Sequence, residues 1–260
     1  RGASEIAGNV RITTYDSTTD ILYAISDGGT LWQGDLSGFF WEVLNQEIQF
    51  STGLLEVAHL QDGTFRIIAS TNNRPFYSDD IGVTWNPASN WNTQGGSKLF
   101  DSHVIQNENT GINEIFFLSR ETWNQAISVQ KSNVEDMDFK QERSFTTSDH
   151  RNLSMARVGN GNDVFILEQL SAGTSKIFQW DAEADNFVNI NNNTQIGSGE
   201  IGRINLDVVM IEDTLRMYSY NDAQEFYKSS DLGQTWELQS ILPIDPWEVG
   251  VYIIPSDPIN

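Results

Sequence analysis

An eight-residue pattern that occurs twice constrains this chain more than any other feature. Both copies, at residues 78–85 and 229–236, fit Ser-x-Asp-x-Gly-x-Thr-Trp at all five defined positions. An aspartate at this spacing accepts bonds from nearby backbone N–H groups, and the glycine permits a left-handed backbone. The pattern therefore predicts a tight hairpin turn closed by a large apolar ring. The matched residues are Ser78, Asp80, Gly82, Thr84 and Trp85 in the first repeat, and Ser229, Asp231, Gly233, Thr235 and Trp236 in the second.

The closing aromatic of each repeat measures the period of the chain. Weaker copies keep only part of the pattern at residues 34–41, 132–139 and 180–187. The closing aromatics Trp41, Trp85, Phe139, Phe187 and Trp236 are 44, 54, 48 and 49 residues apart. A period of roughly 40–50 residues is typical of the four-stranded blades of β-propellers.

The pattern inside each interval agrees with four strands per blade. Short, near-alternating runs rich in β-branched and aromatic residues are separated by turn signals, and no convincing long helix is found. Expected strands include 21–26, 65–70, 102–106 and 204–211. The sequence thus predicts an all-β propeller forming a single domain over 1–260. Its expected blades are 5–48, 49–95, 96–147, 148–195 and 196–245, and 246–260 begins a further blade.

The two ends of the chain resemble each other. The run from Val251 to Pro258 can be aligned with the run from Val10 to Ser17, which opens the first blade. A lone inner strand leaves an unpaired edge. We therefore expect the sequence to be part of a longer chain whose propeller has more than five blades. The alternative is a five-bladed ring in which Val249 to Pro255 pairs elsewhere.

The charge balance narrows the classes of partner. The chain carries 15 basic and 36 acidic residues, with a net charge of −21. Nucleic acid is therefore a poor partner, because phosphate binding requires a basic surface. No apolar run approaches the ~20 residues of a membrane-spanning helix. We expect no membrane insertion and no cofactor, with Ca²⁺ as the possible exception, since carboxylates and carbonyls bind hard cations.

The two repeats resemble the Asp box, or BNR repeat, of sialidase-like, sortilin-like and xyloglucanase-like β-propellers. The resemblance is greatest to secreted bacterial multi-blade propeller proteins, in which such blades precede other domains. It implies that the boxes lie at the periphery, away from the ligand face. The ten matched residues are accordingly interpreted as structural.

Two enzymatic interpretations follow from the resemblance. Sialidases carry an Arg-Ile-Pro motif, but Arg11-Ile12 and Arg66-Ile67 are not followed by proline here. The xyloglucanases carry a catalytic aspartate in a Thr-Asp-x-Gly-Gly segment that Asp27-Gly28-Gly29 matches with one residue missing. Inverting hydrolysis requires a second carboxylate across the scissile bond, which this chain does not supply by motif. A simple hairpin turn at Asp27 is the favoured interpretation.

The sequence gives little indication of a zinc site or of cysteine chemistry, and weak indications of calcium or sugar binding. The three histidines have no zinc-ligand spacing, and cysteine is absent. Asn107-Glu108-Asn109 and Asn160-Gly161-Asn162-Asp163 are possible Ca²⁺ ligands, although such runs are more often solvated turns. Trp91, Trp123 and Trp247 lie outside the repeats and are candidates for stacking on sugars if exposed, although packing between blades is the more common role of such residues.

The sequence therefore predicts a secreted or cell-surface propeller that binds a glycan or a protein without catalysis of its own. The alternative is a glycoside hydrolase of the xyloglucanase type that uses Asp27 as one of two carboxylates. A sortilin-like receptor propeller is a third hypothesis.

Overall fold

The computed structural model describes residues 10–45, 47–51, 53–71, 74–91, 98–120, 126–145, 152–158, 162–171, 174–191, 194–196, 204–211 and 213–241. Their secondary structure consists of twenty-one β-strands and connecting turns. No helix in these ranges is long and apolar enough to span a membrane. The expected further blade at 246–260 lies outside the described residues.

The chain divides into two compact units, Arg1–Val104 with Gly111–Gln141, and Ile105–Thr110 with Glu142–Asn260. Unit one contains the first two sheets and the central strands of the third. Each sheet is antiparallel and follows chain order. The strands are β1 (Val10–Asp16), β2 (Ile21–Ser26), β3 (Leu31–Asp35), β4 (Trp41–Asn45), β5 (Leu55–His59), β6 (Phe65–Ser70), β7 (Pro75–Ser78), β8 (Asn86–Pro87), β9 (Lys98–Gln106), β10 (Asn113–Arg120), β11 (Ser128–Asn133) and β12 (Lys140–Ser144).

Unit two contains the fourth and fifth sheets. A short additional strand, β17, pairs with β15 beside the fourth sheet. The strands are β13 (Leu153–Arg157), β14 (Val164–Ser171), β15 (Thr174–Asp181), β16 (Asn186–Asn189), β17 (Thr194–Gln195), β18 (Ile204–Ile211), β19 (Thr214–Asn221), β20 (Glu225–Ser229) and β21 (Glu237–Ile241). Five four-stranded antiparallel sheets confirm the all-β architecture of four-stranded units.

The second strand of most sheets is buried on both faces. In β6 every residue after Phe65 is buried, and in β10 every residue after Asn113 is buried. Strands covered on both faces have continuous rather than alternating apolar character. The near-alternating pattern expected from the sequence is therefore wrong for these strands.

The core of unit one fills the space between successive sheets. Tyr23 and Ile25 of β2 pack with Leu55 and Ile67 of the second sheet. A second cluster joins the second and third sheets and contains Phe117, Phe139 and Trp91, all at most 9% exposed. Trp91 therefore belongs to the core, which confirms packing rather than stacking on sugars as its role. Trp123 and Trp247 lie outside the described residues.

Candidate functional site

Each repeat aspartate directs its carboxylate into its own hairpin. Asp80 accepts hydrogen bonds from Thr84 N at 2.8 Å, Thr84 Oγ1 at 2.6 Å and Ser78 Oγ at 2.9 Å. Asp231 accepts the same three bonds from Thr235 and Ser229, at 2.9, 2.6 and 2.7 Å. These aspartates therefore contact the turn between the third and fourth strands of a sheet, as a structural role requires.

The repeat glycines adopt the conformation that their turns require. Gly82 has φ +82° and Gly233 has φ +74°, a region that side chains disfavour. Trp85 Nε1 donates to the Gly82 carbonyl at 3.0 Å, whereas the buried Trp236 Nε1 has no hydrogen-bond partner. The two repeats thus share their aspartate geometry but differ at the closing ring.

The weaker copies form the same hairpins with different chemistry. Asn133 Oδ1 accepts the Asp136 N–H at 2.8 Å, and Asp181 Oδ1 accepts the Ala184 N–H at 3.0 Å. The left-handed residues here are Met137 and Asp185, each one position after the place that glycine holds in the repeat. The position of the turn is therefore retained where its sequence is not.

The contribution of the second repeat to the stability of the fold is expected to fall at acidic pH. Burial alone would raise the pKa of Asp231, but the hydrogen bonds from Thr235 and Ser229 outweigh it and lower that pKa. A carboxyl whose pKa is lowered by folding stabilises the fold above its unfolded pKa of about 3.9, and this stabilisation is lost as the pH falls through the folded value. We expect Asp231→Asn to be less stable than the wild type above about pH 5, and we expect this difference to shrink as the pH falls below about 3.9 and through the lowered folded pKa.

Urea denaturation at a series of pH values measures this difference. Thr235→Val is the matched variant, because it removes the hydroxyl donor and keeps the carboxylate. It is expected to show a smaller dependence of stability on pH in the same range. A stability difference between Asp231→Asn and the wild type that stays constant down to about pH 2 contradicts the prediction.

Asp27 lies on the turn between β2 and β3. Its side chain is exposed, and the turn is closed by the Gly29 N–H, which donates to the Ser26 carbonyl at 2.8 Å. Gly29 has φ +78° and packs against the backbone of Phe50. Asp27 is therefore presented on a hairpin, the arrangement that the simple-turn interpretation requires.

One of the two arginines considered for a sialidase site, Arg66, binds other parts of the protein. Arg66 binds the Asp79 carboxylate through two hydrogen bonds, at 2.6 and 3.0 Å, and donates to the carbonyls of Val134 and Glu135. Its guanidinium also lies 4.1 Å from the centroid of the Tyr77 ring. These contacts leave Arg66 directed at the protein rather than at a substrate carboxylate.

An open cleft lies at the end of the first sheet, where the first weak copy forms its turn. Its volume is about 660 Å³. Phe39, Phe40 and Trp41 contribute aromatic surface to it, and Asp20 and Asp35 line it with Glu42 and Gln33. We call it the aromatic cleft. Phe39 and Phe40 are 62% and 70% exposed, although residues of this type are usually buried.

The sequence contained a signal for this cleft that was not used. Three consecutive aromatic residues follow Gly38, and a hairpin can bury only its closing ring. Gly34 allows that ring to approach closely, because a Cβ at this position would lie 2.7 Å from the Trp41 ring. Trp41 Nε1 donates to the Gly38 carbonyl at 3.0 Å, which fixes the ring beside the cleft.

A smaller and more polar depression lies in unit two. It has a volume of about 430 Å³ and brings the first run considered as calcium ligands together with Asn162 and Asp163 of the second. Asn160 and Gly161 lie outside the described residues. Asn162 Nδ2 donates to Glu108 Oε1 at 2.9 Å, and Asp163 accepts from Gln179 Nε2 at 2.9 Å. Within the described ranges, no three His, Cys, Asp or Glu side chains form a group that could hold a metal ion. A calcium site stays a prediction.

Comparisons with known proteins agree on the architecture. No protein-family model matches the sequence, and no match was found among curated proteins. Among solved structures, the chain is similar to the Dos1 propeller, with a TM-score of 0.57 and 10% identity over 86% of this chain and 56% of that one. The fold is that of a β-propeller. This confirms the fold class predicted from the repeat.

Two further structures share this propeller fold. The GH74 xyloglucanase from Xanthomonas campestris has a TM-score of 0.57 and 15% identity, over 91% of this chain and 39% of that one. The Aleuria aurantia lectin in complex with Fucα1-6GlcNAc has a TM-score of 0.51 and 14% identity, over 85% of this chain and 74% of that one. Its structure is described as a six-bladed propeller with a novel fucose recognition mode. The chain spans little more than half of the Dos1 propeller and less of the xyloglucanase.

Proposed function

We propose that this propeller is a carbohydrate-binding module of a secreted or cell-surface protein, and that it binds its glycan in the aromatic cleft without catalysis. Its two repeats are proposed to be Asp boxes that hold hairpins. The observation that carries the proposal is the pair of exposed phenylalanines beside several carboxylates in an open cleft. The C–H face of a sugar packs on an aromatic ring, and its hydroxyls bond to carboxylates and amides.

The dimensions of the aromatic cleft support this function. A volume of about 660 Å³ falls within the range of small-molecule sites, roughly 300–1,000 Å³. Exposed apolar rings that contribute nothing to a core are typical of recognition surfaces. The lectin complex with Fucα1-6GlcNAc shows that a propeller of similar fold can bind a sugar.

The hydrolase hypothesis is the weaker candidate. It requires a second carboxylate on the far side of the scissile bond from Asp27, roughly 6–10 Å away. Asp27 instead occupies the exposed tip of a hairpin. The aromatic cleft also contains Asp20, Asp35 and Glu42 without any contribution from Asp27.

A glycan array followed by titration calorimetry with the best ligand tests the proposal. Phe40→Ala is expected to weaken binding about tenfold, equivalent to about 1.4 kcal/mol. Because Phe40 is 70% exposed, this change leaves the fold intact. Val83→Ala is the matched control, since Val83 is 78% exposed on the equivalent turn of the first repeat and does not line the cleft.

Several outcomes contradict the proposal. An array without any bound glycan excludes carbohydrate binding, and equal affinities of Phe40→Ala and the wild type exclude the aromatic cleft as its location. Chromatography of the ligand after incubation tests the absence of catalysis. Cleavage that is lost in Asp27→Asn would establish the hydrolase hypothesis instead.

A further inference from the structure

All the charged residues that line the aromatic cleft are acidic. Three of its lining residues are acidic, namely Asp20, Asp35 and Glu42, and none of its ten lining residues is Lys, Arg or His. Carboxylates in a partly enclosed site repel anions and attract cations. Acidic sugars are therefore disfavoured in this cleft whatever other contacts they make.

The hydrogen-bond donors around the cleft are already engaged. Trp41 Nε1 donates to the Gly38 carbonyl at 3.0 Å, and Gln33 Nε2 donates to Glu42. The Tyr15 hydroxyl donates to Asp20 Oδ1 at 2.5 Å, and the Ser37 hydroxyl donates to Asp35 Oδ1 at 2.5 Å. A ligand therefore meets acceptors more readily than donors.

One acceptor at this site has no partner in the protein. Gln33 Oε1 is buried and makes no hydrogen bond, although Gln33 lines the cleft. A buried carbonyl oxygen without a partner is costly, and it is satisfied by a ligand or solvent that donates to it. Less than 1 Å² of Oε1 is accessible, so a ligand reaches it only if the Gln33 amide moves, and the preference for a donor-rich ligand rests on the carboxylates of the cleft.

The aromatic rings, like the carboxylates, favour a positively charged ligand. The face of a phenylalanine or tryptophan ring attracts an ammonium group, and the attraction strengthens where water is excluded. Phe39 and Phe40 present exposed rings beside Asp35. An ammonium held between a ring and a carboxylate would contact both.

We propose that the aromatic cleft is specific for glycans that carry free amino groups, such as de-N-acetylated hexosamine polymers. This rests on the proposed carbohydrate-binding function and names its ligand class. The protonated amine donates to Asp35 or Glu42 and packs over Phe40, while the hydroxyls of the sugar donate to Asp20. An acetylated amine carries no charge and loses the first of these contacts.

Titration calorimetry with four probes tests the proposal: a fully de-N-acetylated chitotetraose, its fully acetylated form, a tetragalacturonate and tetralysine. The de-N-acetylated sugar is expected to bind at least tenfold more tightly than the acetylated one, and the tetragalacturonate is not expected to bind. Tetralysine supplies amines without a sugar. It is expected to bind at least tenfold more weakly than the amino sugar, and equal affinity would overturn the glycan assignment.

Two charge-neutralising variants distinguish binding at the cleft from attraction by the net charge of −21. Glu42→Gln removes a carboxylate that lines the cleft, and Glu47→Gln removes an exposed one that does not. We expect Glu42→Gln to lower affinity for the amino sugar about fivefold, the size of one exposed cation contact, and Glu47→Gln to leave it within about twofold. Equal effects of the two variants would show attraction by net charge and overturn the proposal.

The outcomes also distinguish this inference from the proposed function. If both forms of chitotetraose bind equally, the amino-sugar specificity is wrong and carbohydrate binding stands. If neither of them binds and the glycan array is blank, the proposed function itself is wrong.

Discussion

Replacing Phe117 by alanine is expected to lower the free energy of unfolding by about 3–5 kcal/mol. Phe117 is fully buried in β10, stacks on Phe139 with ring centroids 4.9 Å apart, and contacts Trp91 edge-on at 6.0 Å. Truncation removes apolar area from the core and leaves a cavity that two rigid rings cannot fill. Urea denaturation followed by tryptophan fluorescence measures the change.

Val83→Ala is the control for this core truncation. Val83 is 78% exposed, so its loss is expected to change stability by no more than about 0.5 kcal/mol. A loss below about 1 kcal/mol for Phe117→Ala would mean that the surrounding rings collapse into the cavity.

Replacing Arg66 by alanine is expected to cost about 3 kcal/mol of unfolding free energy. The Arg66 side chain is 8% exposed, and its removal leaves the Val134 and Glu135 carbonyls without that donor. The Asp79 contact adds less, because Asp79 is 45% exposed and water screens the pair. The effect therefore comes mainly from the bonds to the backbone and from packing on Tyr77.

The order of three variants checks the Arg66 prediction. Arg66→Lys keeps the charge but loses the planar fork of donors, so its loss of stability is expected to be intermediate. Asp79→Asn is expected to cost the least, because it removes only the screened part of the network. Denaturation that ranks Asp79→Asn as the most damaging would contradict this assignment.

The repeat in the sequence predicted much of the fold. The turn chemistry of the repeat is local, since its aspartate bonds to a threonine only four residues away. The interval between closing aromatics therefore located all five hairpins, including the weak ones. Strand bounds at Ile21–Ser26, Phe65–Ser70 and Ile204–Ile211 were predicted to the residue.

Features that depend on tertiary contacts were not predicted. Strand β9 begins at Lys98 rather than at residue 102, and β17 pairs with β15 without a sequence signal. Continuous burial of β10 depends on residues distant in sequence, such as Trp91 against Phe117, which periodicity within the strand cannot reveal. Packing of Trp91 could be expected from the sequence, but its partners could not, because Phe117 and Phe139 are distant in sequence.

The aromatic cleft shows how little of the candidate site could be predicted from the sequence. Sequence reasoning used Trp41 only as the end of a weak repeat and did not interpret Phe39 and Phe40. Their exposure depends on how the hairpin closes, through Gly34 below the Trp41 ring. Asp27 drew attention because it resembled a family motif, whereas the cleft has no motif.

The hairpin that carries this cleft is closed by hydrogen bonds among its own residues. The Asp35 N–H donates to the Phe40 carbonyl at 3.3 Å, the Gly38 N–H donates to the Asp35 carbonyl at 3.0 Å, and the Phe39 N–H donates to Ser37 Oγ at 3.3 Å. Exposed tip residues such as Leu36 and Phe39 can therefore be exchanged without loss of these bonds. The tip of this hairpin can therefore be randomised in a library to select new binding specificities, while the rest of the sheet is left unchanged.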